Sequence, residues 1–193
     1  LSELLKNDGE FEVYLTREDD RFIPLDRRTE IANLLKGDLF ISIHANSAWD
    51  SRARGVETFY NSHYAYGEGA EEVAIRENAA LASEEIPSRV KSILWDLIQN
   101  QYRQQSRQLS NVIQEKLAQV CDLPDRGVKS APFYVLRGAN MPATLVEVGF
   151  LSNPLEEPKL KNSKFQELIA TGIHKGILRY VNSFKGKATK ANQ

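Results

Sequence analysis

Hydrophobic positions along this chain fall into two short runs, too apolar to lie on a surface, set among longer stretches of helical spacing. Residues 39–46 read Leu-Phe-Ile-Ser-Ile-His-Ala-Asn, and residues 143–150 read Ala-Thr-Leu-Val-Glu-Val-Gly-Phe. Each has the length of a strand and the continuous apolar character of one covered on both faces. Residues 11–16 alternate, with Phe11, Val13 and Leu15 on one side, and predict another strand. Residues 25–36 place Ile31, Leu34 and Leu35 at helical spacing before Gly37, and residues 55–60 read as a further short strand. Strand, helix and strand in that order are the βαβ pattern of a parallel sheet.

Residues 61–87 break this rhythm. A turn-rich loop over 61–69 leads into an Ala/Glu-rich helix predicted over 70–85 and ended by Pro87. From 88 to 120 apolar residues recur at helical spacing, and a Gln-rich gap between Tyr102 and Leu109 leaves open two helices or one long one. Pro124, Gly127 and Pro132 bracket a predicted loop, and residues 133–136 read as a strand. The last helix is predicted over 163–181, with Phe165, Leu168, Ile169, Ile173, Ile177 and Tyr180 on one stripe. The polar residues 184–193 are expected to be a disordered tail. At the other end, Leu1, Leu4 and Leu5 have helical spacing with no N-cap before them, so the chain is expected to begin inside a helix. The pattern predicts an α/β fold: a mixed, largely parallel sheet with helices on both faces, plus a helical insertion.

Composition narrows the partners more than the fold. At 193 residues the chain fits one domain with a full core. A net charge of -1 supplies no global field for nucleic acid or an anionic membrane. The single Cys121 excludes an internal disulfide and any multi-Cys metal site. No apolar run approaches the roughly 20 residues of a membrane span.

Two side chains carry the candidate chemistry. His44 stands at the carboxyl end of a predicted parallel strand, where open α/β sheets place their ligands. The plain alternative is an edge histidine that has found a hydrogen bond. Glu147 stands inside an apolar strand, where a carboxylate is costly unless it is paired, hydrogen-bonded or near a metal. It reads either as a general acid/base or as the partner of a neighbouring Arg. His174 lies off the apolar stripe of the last helix and is expected to be solvated, and His63 is expected on the surface. The three histidines show no HExxH-type ligand spacing.

The motifs in order are Phe-Glu-Val-Tyr-Leu-Thr-Arg over 11–17 with Asp20, and Arg-Thr-Glu-Ile-Ala-Asn over 28–33. The His44 strand, Gly-Val-Glu-Thr-Phe-Tyr over 55–60, and Leu-Val-Glu-Val-Gly-Phe-Leu-Ser-Asn over 145–153 follow. Together they resemble the zinc-dependent N-acetylmuramoyl-L-alanine amidases of the type 3 amidase family, over about residues 1–183. The resemblance implies a peptidoglycan hydrolase that cuts between N-acetylmuramic acid and L-alanine during wall remodelling at cell division. It further implies a monomer exported to the periplasm or cell envelope. In that family zinc is held by a His in a Gly-His-Gly-Gly turn, a Glu near the start of the first helix, and the His of the "SIHAN" strand. Only the last has a counterpart here, His44. Glu147 matches the catalytic Glu.

Residues 61–105 resemble the regulatory insertion of the cell-division amidases, in which a helix blocks the site until an activator protein displaces it. On this reading residues 1–183 are an amidase catalytic domain truncated at its N-terminus. Among Glu71, Glu72, Glu77, Glu84 and Glu85, the expected inhibitory zinc ligand is Glu77, one turn from both Val73 and Leu81. A docking surface for the activator is expected around residues 93–98. The main alternative is a non-catalytic peptidoglycan-binding domain that has lost its metal. A nucleotide-type α/β domain fits less well, because no Gly-rich phosphate loop is present.

Overall fold

The computed structural model describes residues 1–79 and 89–191. In chain order its elements are α1 (Ser2–Asn7), α2 (Leu25–Leu34), β1 (Phe40–Asn46), β2 (Val56–Asn61), α3 (Ala70–Asn78) and α4 (Arg89–Val120). Then come β3 (Asp125–Ala131), α5 (Tyr134–Arg137), β4 (Ala143–Phe150), α6 (Glu157–Leu160) and α7 (Ser163–Ala191). The strands form one sheet in the order β1-β4-β2-β3. Pairing is parallel at β1–β4 and β2–β3 and antiparallel at β4–β2, the mixed, largely parallel sheet that the pattern predicts.

Strand β4 is buried at every position, because helices cover both faces of the sheet. Its alternation divides the core in two. Ala143 and Leu145 pack with Leu25, Phe59, Val73 and Phe133 beneath α2, α3 and α5. Val146 and Val148 pack with Leu109, Ile113, Leu117, Ile173 and Ile177 beneath α4 and α7. Helices α4 and α7 approach closely at Gly172 and Gly176, where a Cβ would stand 2.9 Å from the Leu117 Cα and 2.6 Å from the Ile113 Cα.

Several elements differ from the sequence expectation. Residues 11–16 form no strand. Their alternation supplies a face without a ladder, since no strand lies beside them among the described residues. Together with residues 37–45 they line a cleft of about 1120 Å³ along the outer edge of β1. The segment predicted as a loop contains β3 instead. Pro124 sits just before the strand, where its missing N–H costs nothing, and its carbonyl accepts the Val56 N–H at 2.9 Å. Gly127, at φ +76°, allows β3 to carry an extra residue opposite β2. The predicted strand at 133–136 is the short helix α5. Asn61 and Asn78 side-chain oxygens accept the Phe133 and Tyr134 N–H groups, each at 2.9 Å, and so satisfy its first turn.

The two-or-one question over 88–120 resolves to the single helix α4. α7 continues to Ala191 through residues expected to be a disordered tail, because their Lys and Ala are good helix formers. Asn192 and Gln193 lie outside the described residues. His174 is not solvated: its ring is half-buried, and its Nε2 hydrogen-bonds the Asp8 carboxylate at 2.6 Å, tying α7 to the end of α1. Among the described residues no helix is long and apolar enough to cross a membrane.

Candidate active site

Register brings the two candidate side chains together. His44 on β1 lies directly opposite Glu147 on β4, near the carboxyl ends of both strands. Period-two alternation puts Phe40, Ser42 and His44 on the face toward α3, together with Leu145 and Glu147. Across β4 the antiparallel β2 sets Glu57 opposite Glu147. His44, Glu147 and Glu57 thus form one row of side chains across the sheet.

The end of β4 is shaped by a bulge, in which the step from His44 to Asn46 on β1 is matched by Glu147 to Phe150 on β4. Gly149 makes it possible with φ +141°, a conformation that residues with a Cβ avoid. A Cβ there would also press on Glu156 Oε2 and Leu160 Cδ2, each 3.3 Å away. The buried Glu156 fixes the turn by accepting the N–H groups of Phe150 at 2.8 Å and Gly55 at 2.7 Å.

Glu147 is fully buried, and among the described residues neither carboxyl oxygen has a hydrogen-bond partner. Burial pushes this carboxyl well above the usual carboxylate range. The Glu77 and Glu57 carboxylates push it the same way, with Arg76 opposing. His44 presents Nε2 to the Ser42 hydroxyl at 3.0 Å and Nδ1 to the Glu77 carboxylate, which lies in direct contact with it.

Glu77 arrives from α3, whose inner face is anchored by Ala70, Val73 and Ala74. Ligand atoms of His44, Glu77 and Glu147 all lie within 4.8 Å of one another. An imidazole nitrogen with a carboxylate beside it suits a divalent ion such as zinc, and the unpartnered oxygens of Glu147 lie next to that position, free for proton transfer.

The structure therefore joins His44, Glu147 and Glu77. Glu71 and Glu72 are exposed on α3, and His63 is exposed in the loop before it. Leu81, Glu84, Glu85 and the side chains of residues 93–98 lie outside the described residues. The sequence reading assigned no role to Glu57, Arg76 or Lys129. Glu57 was open to the same cue as Glu147, a carboxylate inside an apolar strand. Lys129 was hidden because its strand read as a loop.

With this geometry in place, comparison adds kinship. A family model described as N-acetylmuramoyl-L-alanine amidase matches residues 1–179. AmiA, an N-acetylmuramoyl-L-alanine amidase of Escherichia coli, is 35% identical over 187 residues. That match covers 94% of this chain but 64% of AmiA, so the chain spans less than two thirds of this relative. The catalytic domain of the amidase CwlV from Bacillus (Paenibacillus) polymyxa superposes with a TM-score of 0.67 at 33% identity, covering 94% of this chain and 78% of that one. The CwlD amidase of Clostridioides difficile, solved in complex with the GerS lipoprotein, gives a TM-score of 0.62 at 27% identity, with 94% and 80% covered.

Proposed function

The chain belongs to the N-acetylmuramoyl-L-alanine amidase family, and on that premise we propose that it hydrolyses the amide bond between N-acetylmuramic acid and the first L-alanine of the peptidoglycan stem peptide. The observation that carries this reading is the buried carboxyl of Glu147, in register with His44 and, among the described residues, without a hydrogen-bond partner. A carboxyl with its proton affinity raised by burial is suited to general acid/base work near neutral pH. Glu147 takes a proton from the attacking water as its oxygen bonds to the carbonyl carbon. It returns that proton to the alanine nitrogen as the C–N bond breaks. His44 is the chain's imidazole ligand for zinc, with its ring steadied by Ser42. Zinc, when bound, supplies Lewis acidity to the carbonyl and lowers the pKa of water toward neutrality.

Helix α3 belongs to the same proposal as a plug. With α3 docked, the Glu77 carboxylate sits on His44 Nδ1, where it competes for the imidazole and blocks the approach to Glu147. Residues 61–105 then act as a regulatory insertion, and an activator protein lifts the helix away. The complex of CwlD with GerS supports the idea that amidases of this kind engage protein partners. The substrate lies outside the cytoplasm, so this reading puts the protein in the cell envelope or periplasm, remodelling the wall at division.

The decisive experiment uses the zinc-loaded, full-length protein on purified peptidoglycan. Glu147→Ala should lower turnover by about 10²–10⁴-fold with zinc content unchanged, the usual worth of a positioned acid/base. His44→Ala should lose zinc and activity together. Substantial hydrolysis by Glu147→Ala would refute the role given to that carboxyl.

A further inference from the structure

Glu57 is buried as completely as Glu147, yet the chemistry above makes no use of it. Its carboxylate accepts hydrogen bonds from Lys129 Nζ at 2.6 Å, Arg126 Nε at 2.9 Å and Asn46 Nδ2 at 2.9 Å. Two of these donors reach onward to the helix that carries Glu77. Lys129 Nζ also donates to the Glu68 carbonyl at 2.5 Å, immediately before the Gly69 N-cap of α3. The lead-in loop lies against the Lys129 stem so tightly that a Cβ on Gly67 would stand 2.6 Å from Lys129 Cγ. At the other end, the Asn46 side chain is held by Glu57 through its nitrogen and by the Ser47 N–H at 2.8 Å through its oxygen. That same oxygen accepts from Arg76 Nη2, in the last turn of α3, at 2.9 Å.

We propose that Glu57 is a positioning residue for inhibition: through Lys129 and Asn46 it clamps both ends of α3 to the sheet and so holds Glu77 on His44. The inference rests on the reading of α3 as the plug. Helix α3 needs such a clamp, because a helix of 9 residues cannot hold itself in water and its buried side chains are mostly small. Ile75, its largest apolar side chain, faces solvent at 64% exposure.

The clamp is also built to let go. All three donors to Glu57 belong to the sheet side and stay with it when the helix leaves, so release bares no buried charge. Within the clamp itself, the Glu68 carbonyl and the Arg76 guanidinium are the groups that change partners, and both exchange readily with water. Asn78 ties the end of α3 to the Pro132 carbonyl at 2.7 Å and to the Tyr134 N–H at 2.9 Å, independently of Glu57.

Residue-resolved amide hydrogen exchange on the metal-free chain tests the clamp without reference to catalysis. The Ala70 and Val73 amides report the start of α3, and the Ala79 amide reports its end. Glu57→Gln should speed exchange at both ends about tenfold or more, the weight of a charge-assisted hydrogen bond. Arg76→Ala, on a half-buried side chain that does not support the core, should speed Ala79 while Ala70 keeps its rate. If Glu57→Gln also exposes β4 amides, Arg76→Ala and Lys129→Met take its place, each expected to loosen its own end only.

Unchanged α3 exchange in Arg76→Ala, or loosening of a single end in a folded Glu57→Gln, overturns the clamp. Increased hydrolysis by zinc-loaded, full-length Glu77→Ala alongside unchanged α3 exchange in the clamp variants likewise overturns the clamp while leaving the plug standing. Faster α3 exchange in the clamp variants with no rise in hydrolysis supports the clamp and overturns the inhibitory reading beneath it.

Discussion

Replacing Gly176 by Ala sets two effects of opposite sign against each other. In an exposed helix the change stabilises by about 1 kcal/mol, because Ala loses less backbone entropy than Gly. Within α7 the added methyl meets α4. It would stand 2.6 Å from the Ile113 Cα, 2.9 Å from Ile113 Cγ1 and 3.1 Å from the Ile113 nitrogen. Carbon atoms prefer about 3.5–4.0 Å, so close to 1 Å is missing, and backbone atoms cannot rotate aside to supply it. The helices must part along the seam of Ile113, Leu117, Ile173 and Ile177, all deeply buried. Overpacking of this kind costs about 1–3 kcal/mol and belongs at the upper end here.

The net expectation for Gly176→Ala is a loss of about 1–2 kcal/mol, or a fall in Tm of roughly 2–8 °C for a domain of this size. Gly172→Ala should lose less, because Val120 Cγ2 at 2.7 Å can swing away and the backbone atom its methyl meets, the Leu117 Cα, stands at 2.9 Å instead of 2.6 Å. Thermal and urea denaturation followed by circular dichroism measure both variants. A rise in Tm for Gly176→Ala would show slack between α4 and α7, and the argument from close approach would fail.

Glu77→Ala in the zinc-loaded, full-length protein should raise basal peptidoglycan hydrolysis in the absence of any activator, and an unchanged rate would remove Glu77 from the inhibitory role. The raised proton affinity of Glu147 has a stability consequence whose sign is fixed. Its unfolded carboxyl ionises near 4.5 while the folded one keeps its proton to higher pH, so above 4.5 the folded state binds more protons and stability falls as pH rises toward the folded pKa. Metal-free Glu147→Gln should remove that decline, and Tm–pH curves that run parallel for the two proteins would contradict it. Burial pushes the Cys121 thiol up to about 11, so a thiol reagent at pH 8 should label it only after denaturant is added; prompt labelling of the folded chain would disprove its burial.

Where the sequence could be read, the physics was local. Strands β1 and β4 stood out by their continuous apolar runs, and in β4 both faces are covered, which removes polar residues and leaves Glu147 conspicuous. Glu77 was legible because one helical turn relates it to Val73, which is buried. The failures were non-local. Residues 11–16 have the alternation of a strand but, among the described residues, no neighbour to pair with. Strand β3 carries Arg126, Lys129 and Ser130, which read as loop until Glu57 is seen to take two of those charges. Residues 133–136 are apolar at a length that fits strand or helix, and the choice is made by Asn61 and Asn78, distant in sequence. Charged groups that answer each other across a sheet leave no periodic trace in the chain.

The open outer edge of β1 has a consequence for how this chain behaves in bulk. The strand order begins with β1, so among the described residues one row of its backbone donors and acceptors faces the cleft and not another strand. Beside that row lie Ile43 at 46% exposure, Tyr14 at 56% and Leu15 at 54%, a greasy rim without a charged guard on the strand's exposed positions. Natural sheets discourage edge-to-edge pairing with lysines, prolines or bulges along such a border. The net charge of -1 adds almost no mutual repulsion between copies. Colloidal stability in concentrated solution therefore depends on what shields a border seven residues long, more than on the strength of the two cores behind it.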